Sequence, residues 1–147
     1  MEFFSYTTDN KPESKEIDRI TDFLYEHLDQ FRDEWEHIRK AIQYSLKETS
    51  DDGGYVITSE ENGQITGAVV VNRTGMEGYI PENILVYIAV NKDYRGKGLG
   101  KQLMNKAIEL ADGAIALHVE HDNPARYLYE KLGFTNKYLE MRLYPQE

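Results

Sequence analysis

The stretch Val90-Asn91-Lys92-Asp93-Tyr94-Arg95-Gly96-Lys97-Gly98-Leu99-Gly100-Lys101-Gln102-Leu103-Met104 decides how this chain reads. It follows an almost unbroken apolar run, Ile84-Leu85-Val86-Tyr87-Ile88-Ala89-Val90, typical of a strand buried on both faces and expected at the sheet centre. Three glycines at 96, 98 and 100 then lead into a helix expected from about Gly98 to Asp112, with Leu99, Leu103, Ala107 and Leu110 facing inward and Gly113 at its end. A strand, a glycine turn and a helix start make an anion site. Glycines let the backbone approach a ligand, the first helical amides have no intrahelical acceptor, and the dipole adds positive potential. Arg95, Lys97 and Lys101 bring charge to the same span, so one or more phosphates are expected there.

Two well-known glycine patterns fit poorly. A nucleotide P-loop needs Ser or Thr after its lysine, whereas Lys101 is followed by Gln102. The dinucleotide pattern needs glycine where Lys101 stands. What fits is Arg/Gln-x-x-Gly-x-Gly/Ala, beginning at Arg95.

Outward from this centre the elements follow in order. Phe3 to Thr7 reads as a first strand, and Ile17, Ile20, Leu24, Leu28 and Phe31 recur at helical spacing. Asp33 with Glu36 resembles a capping box for a second helix carrying Trp35, Ile38, Ile42 and Leu46. Thr49 to Gly54 stops that helix, and Tyr55 to Ser59 and Gln64 to Asn72 form a hairpin about the Asn62-Gly63 turn. After the glycine-turn helix, a strand over 114–120 is expected parallel to 84–90, because a helix joins the two. Asn123 and Pro124 open a short helix that Gly133 closes, and Phe134 with Tyr138 to Leu143 is expected to finish the sheet. The fold class is a mixed α/β (α+β) domain with no internal repeat or linker, read as one domain over 1–147.

Composition bounds the partners. There are no cysteines, which removes disulfides, thiolate metal sites and an acyl-cysteine intermediate. Residues 1–62 hold 16 of the 26 acids and 7 of the 17 bases, so the whole net charge of −9 falls in the first part. That balance argues against nucleic acid as a partner and suits solvated helix faces or attraction of a cationic substrate. No apolar run is long enough to span a bilayer and no signal segment opens the chain, so no membrane association and a cytoplasmic location are expected.

The stretch 90–104 resembles the cofactor motif of the GNAT acetyltransferases. A second match follows in Asn123-Pro124-Ala125-Arg126-Tyr127-Leu128-Tyr129-Glu130-Lys131-Leu132-Gly133-Phe134. Together they span residues 84–134. The resemblance implies a GNAT-like acyl-CoA N-acyltransferase fold, with a mostly antiparallel sheet, a splayed parallel pair at about 84–90 and 114–120, and flanking helices. It implies acetyl-CoA as co-substrate, its pantetheine arm against Ile88, Ala89 and Val90 and its pyrophosphate on Arg95, Gly96, Lys97, Gly98, Leu99, Gly100 and Lys101. Asn123 would contact the arm and Lys131 the outer phosphates. A homodimer is implied by family habit only.

The acceptor implied is a primary amine: a small amine, a polyamine or a peptide amine. Tyr129 matches the family tyrosine that protonates the departing thiolate. Many relatives carry a glutamate near position 84, where this chain has Ile84, which leaves the base open among His118, Glu82 and a water chain. Asp51, Asp52, Glu77 and Glu82, with Tyr79 and Tyr87, would suit a cationic acceptor. No metal site is expected: His118 and His121 on a strand would point apart. Two rival readings stay open, a non-catalytic acyl-CoA-binding regulatory module on the same fold and an unrelated nucleotide-binding protein.

Overall fold

The computed structural model describes residues 1–47 and 53–146, which divide into two compact units, 1–117 and 118–147. In the first unit the order is β1 (Glu2–Tyr6), α1 (Ser14–His27), α2 (Trp35–Ser45), β2 (Gly54–Glu61), β3 (Gln64–Arg73), β4 (Asn83–Val90), α3 (Leu99–Leu110) and β5 (Ile115–Leu117). The five strands form one sheet in sequence order, antiparallel except for the β4–β5 pair. β3 is therefore the middle strand, and β4, expected at the centre, lies next to the edge strand β5. The tract Thr49–Asp52 lies outside the described residues.

The period of each segment decides its face. On α1 and α2, Ile20, Phe23, Leu24, Ile38 and Ile42 are buried and meet Val56, Ala68, Val70, Tyr87 and Ala89 of the sheet. On the opposite face α3 buries Leu99, Leu103, Met104 and Ala107. There Tyr55 of β2, 1% exposed, donates its hydroxyl to the Ala107 carbonyl at 2.6 Å. Leu110, expected to point inward, is 42% exposed at the last position of the helix. The β2–β3 hairpin turns at Asn62 (φ 54°) and Gly63 (φ 77°), the left-handed pair that a tight turn between twisted strands requires.

Asp33 does not form the expected capping box. Glu34 precedes α2 without a side-chain cap, and Asp33 instead accepts a hydrogen bond from the Tyr87 hydroxyl at 2.5 Å. A buried hydroxyl without an acceptor is costly, about 1–3 kcal/mol, whereas a helix start can be solvated.

The second unit is built on α4 (Ala125–Lys131). The Asn123 side-chain oxygen accepts from the Ala125 amide at 2.9 Å, and Gly133 (φ 103°) closes the helix, with the Phe134 amide donating to the Tyr129 carbonyl. The expected strands at Phe134 and Tyr138–Leu143 are absent among the described residues. Leu139, Met141 and Leu143 are 85–91% exposed. Alternation makes a segment competent to be a strand, but only a neighbouring ladder makes it one. Among the described residues no helix is long and apolar enough to cross a membrane.

Candidate active site

β5 reaches only part of β4. The parallel ladder joins Asn83, Ile84 and Leu85 to Ile115, Ala116 and Leu117, then stops. It stops beside a β-bulge: Val71 opposes Leu85 but Val70 opposes Tyr87, leaving Val86 as the extra residue. A bulge bends and twists its strand, and from Val86 onward β4 has no partner on the β5 side among the described residues. The expected strand 114–120 is thus shorter, and His118 and Glu120 follow it as exposed, non-strand residues. His118 and Glu120 therefore share no strand face, and no strand pleat turns His118 away from His121. Among the described residues no group of His, Asp and Glu could hold a metal ion.

The backbone of the open edge has a definite polarity. The Asn91 amide donates to Thr66 O at 2.8 Å, so that pair is hydrogen-bonded across β3–β4. Antiparallel alternation puts Ala89 and Tyr87 in the same class. Ile88 and Val90 consequently turn their N–H and C=O groups onto the open edge, and Ala89 turns its own toward β3.

The edge runs into the glycine turn. Gly96 (φ 79°) and Gly98 (φ 81°) occupy the left-handed region, and a Cβ at either would meet nothing within 4 Å, so conformation and not crowding demands glycine. Gly98 is the N-cap of α3 and has no side chain with which to cap it, and no acid stands in the first turn. The amides of Leu99, Gly100 and Lys101 are left for an external acceptor. The Lys97 ammonium lies 5.5 Å from the Tyr94 ring centroid, and Lys101 is exposed. This donor set fits a pyrophosphate.

Arg95 is differently engaged from what the sequence implied. Its guanidinium donates to His27 O (2.9 Å), to Asp29 Oδ2 (3.4 Å) and, through Nε, to Val90 O (3.1 Å). Lys92 pairs with the other oxygen of Asp29 at 2.9 Å. Asp29 was not picked out from the sequence, because nothing local marks a partner 66 residues away.

The remaining expected residues have distinct surroundings. Glu82 accepts from the amides of Gly78 (2.9 Å) and Ala114 (2.7 Å), and these bonds hold its carboxyl below the usual range. It sits at the β5-paired end of β4, roughly 20 Å of strand from Ile88 at about 3.3 Å per residue. The two bonds tie the 73–83 loop to the residue that precedes β5. Tyr87, one residue past the bulge, is buried, and burial followed by its bond to Asp33 raises its pKa. Tyr129 is 7% exposed and burial pushes its hydroxyl up to about 12, so it keeps its proton at neutral pH. Lys131 and His118 are exposed. An open groove of about 490 Å³ lies beside α1, but its lining, which includes Asp22, Glu26, His27, Lys92 and Asp93, stops short of the glycine turn.

Comparison with known proteins bears on this geometry. The model of the acetyltransferase (GNAT) family matches residues 20–134. The chain is 34% identical over 90 residues to the [ribosomal protein bS18]-alanine N-acetyltransferase of Haemophilus influenzae, covering 58% of each chain. It is 30% identical to the 5-NmdU N-acetyltransferase of Pseudomonas phage PaMx11 over 60% of this chain and 62% of that one. The matches therefore span about three-fifths of these relatives' length. An aminoglycoside acetyltransferase from an uncultured soil metagenomic sample shares the fold, with a TM-score of 0.69 at 19% identity over 99% of this chain and 98% of that one. The family match covers the open β4 edge, the glycine turn and α4 alike, and the chain belongs to the GNAT acetyltransferase family.

Proposed function

We propose that this chain is an N-acetyltransferase that moves the acetyl group of acetyl-CoA directly to a primary amine. The observation that carries the reading is the open β4 edge at Ile88 and Val90, which has no strand partner on the β5 side among the described residues, leading into the uncapped opening amides of α3. An extended arm with amide groups pairs with such an edge as an added strand would, and a pyrophosphate at its end meets the helix start. Bound there, acetyl-CoA supplies the activated acetyl thioester. With no cysteine in the chain, a cysteine-bound acyl group is not open to it, which favours direct transfer.

The chain's own groups divide the remaining work. Tyr129 is the proton donor, on the register of the 123–134 motif and on its protonated state at neutral pH. His118 is the leading residue for taking the amine's proton, directly or through water, now that Glu82 is committed to two amides. Asp33, exposed but anchored on Tyr87 next to the bulge, offers a fixed carboxylate to an ammonium group. The curated relatives' names give their acceptors as a ribosomal-protein alanine and 5-NmdU, each acetylated on nitrogen. A cationic amine suits the acid-rich first 62 residues.

The test is release of free thiol from acetyl-CoA in the presence of a panel of amines, read with a thiol-reactive dye. The chain adds no thiol background of its own. Amine-dependent release supports the reading. Binding of acetyl-CoA without release for any amine supports the acyl-CoA-binding module instead, and no binding overturns both.

A further inference from the structure

We propose that Asp29 and Arg95 form a clasp that positions the phosphate-binding turn, so that both are positioning residues for acetyl-CoA, while the anion is held by the turn's amides and its lysines. The inference rests on the acetyl-CoA reading above. Four contacts of Arg95 and Lys92 join three segments: the carbonyl end of α1 at His27, the residue Asp29 just beyond it, and the end of β4 at Val90. Lys92 opens the short 3-10 turn that precedes Gly96 and Arg95 closes it, and the two carboxylate oxygens of Asp29 take one each. The carboxylate thereby fixes the approach to the glycine turn at both ends.

The charges are consistent with this role. Lys92 first, then Arg95, holds the Asp29 carboxyl below its ordinary range, so it is ionised at neutral pH. Arg95 also faces the carbonyl end of α1, where the helix dipole is negative. Its cation is thus answered twice before any phosphate arrives. Asp29 has φ 56°, a left-handed backbone that Asp, Asn and Gly tolerate better than other residues.

The clasp makes a prediction opposite in sign to simple electrostatics. Asp29 is an acid beside an anion site, so by charge alone Asp29→Asn would tighten acetyl-CoA binding. If Asp29 positions the turn, the same change loosens it. Asp29→Asn and Asp29→Gly both suit φ 56°, so both leave the fold intact, and Asp29→Gly relieves the local strain. The expected result for each is an unchanged melting temperature, faster exchange of the amides of residues 95–101 in the free protein, and a KM for acetyl-CoA raised roughly two- to fivefold, the range an exposed charge pair supports. Neither kcat nor the acceptor's KM should move. Asp93→Asn, which removes an equal charge from the same turn outside the clasp, should leave the KM unchanged or lower it.

Unchanged amide exchange in Asp29→Asn and Asp29→Gly, or a lower KM for acetyl-CoA, overturns the clasp. Should the wild-type chain bind no acetyl-CoA, the proposed function fails, and amide exchange in the free protein still decides the clasp.

Discussion

Gly67 is the place where the sheet lets α3 come close, and a single methyl there should be felt. A Cβ at Gly67 would lie 2.5 Å from Leu103 Cδ1 and 2.9 Å from Ser59 Oγ, both inside normal contact. The Leu103 methyl can turn aside only within a fully buried side chain, and Ser59 is tied to Thr66 by a hydroxyl–hydroxyl bond of 2.8 Å. Gly67 is not in the left-handed region, so alanine adds no backbone strain and gains about 0.4–1 kcal/mol from the less flexible unfolded chain. Overpacking costs about 1–3 kcal/mol, so Gly67→Ala should destabilise by about 1–2 kcal/mol. At about 2–4 °C per kcal/mol for a chain near this size, the midpoint should fall by roughly 2–8 °C. Leu103→Val removes the clashing methyl, and combined with Gly67→Ala it should recover about 1 kcal/mol relative to the sum of the single changes. Thermal or urea unfolding of the four proteins measures this cycle. A Gly67→Ala midpoint equal to wild type, or strict additivity of the two changes, would refute the packing argument.

Other substitutions test separate parts. Tyr55→Phe removes the hydroxyl that ties β2 to α3 through Ala107 and should cost about 1 kcal/mol in unfolding free energy, since the carbonyl also accepts from Ala111. Glu82→Gln should lower the melting temperature at pH 7. Because the folded-state pKa of Glu82 is depressed, its contribution is present above the ordinary carboxylate value and lost as pH falls through the folded one, so the gap between variant and wild type should close on acidification below about pH 4.5. A gap independent of pH removes Glu82 as the tie between the 73–83 loop and Ala114. Tyr129→Phe should lower kcat while the affinity for acetyl-CoA holds; unaltered turnover means Tyr129 is not the proton donor. His118→Ala should shift or flatten the acidic limb of the pH–rate profile, and a profile identical to wild type removes His118 as the base.

The sequence was most legible where chemistry and local backbone coincide. Three glycines with an Arg and two Lys around them announced the turn, because an anion site of this kind is made of consecutive residues. The Asn62-Gly63 turn fixed the β2–β3 hairpin for the same reason. What escaped depends on residues far apart. Asp33 read as a cap for α2, yet its Oδ2 accepts from the hydroxyl of Tyr87, 54 residues later. Arg95 read as a phosphate ligand by its place in the motif, and no local signal ties it to Asp29. Glu82 read as a base from its position before β4, and nothing local foretold that its carboxylate accepts from the amides of Gly78 and of Ala114, 32 residues later. The extent of β5 was overestimated because the apolar run does not record where the bulge at Val86 ends the ladder.

Thermal unfolding with acetyl-CoA, free coenzyme A, ATP and NAD, each in excess, is the decisive measurement. A ligand present at about 100 times its dissociation constant stabilises by roughly 2.7 kcal/mol, which corresponds to a rise of roughly 5–11 °C here. A rise with acetyl-CoA and coenzyme A alone is the predicted result. No rise with either, or a larger one with ATP or NAD, would mean that the β4 edge and glycine turn hold a different phosphate and would contradict the acetyltransferase reading.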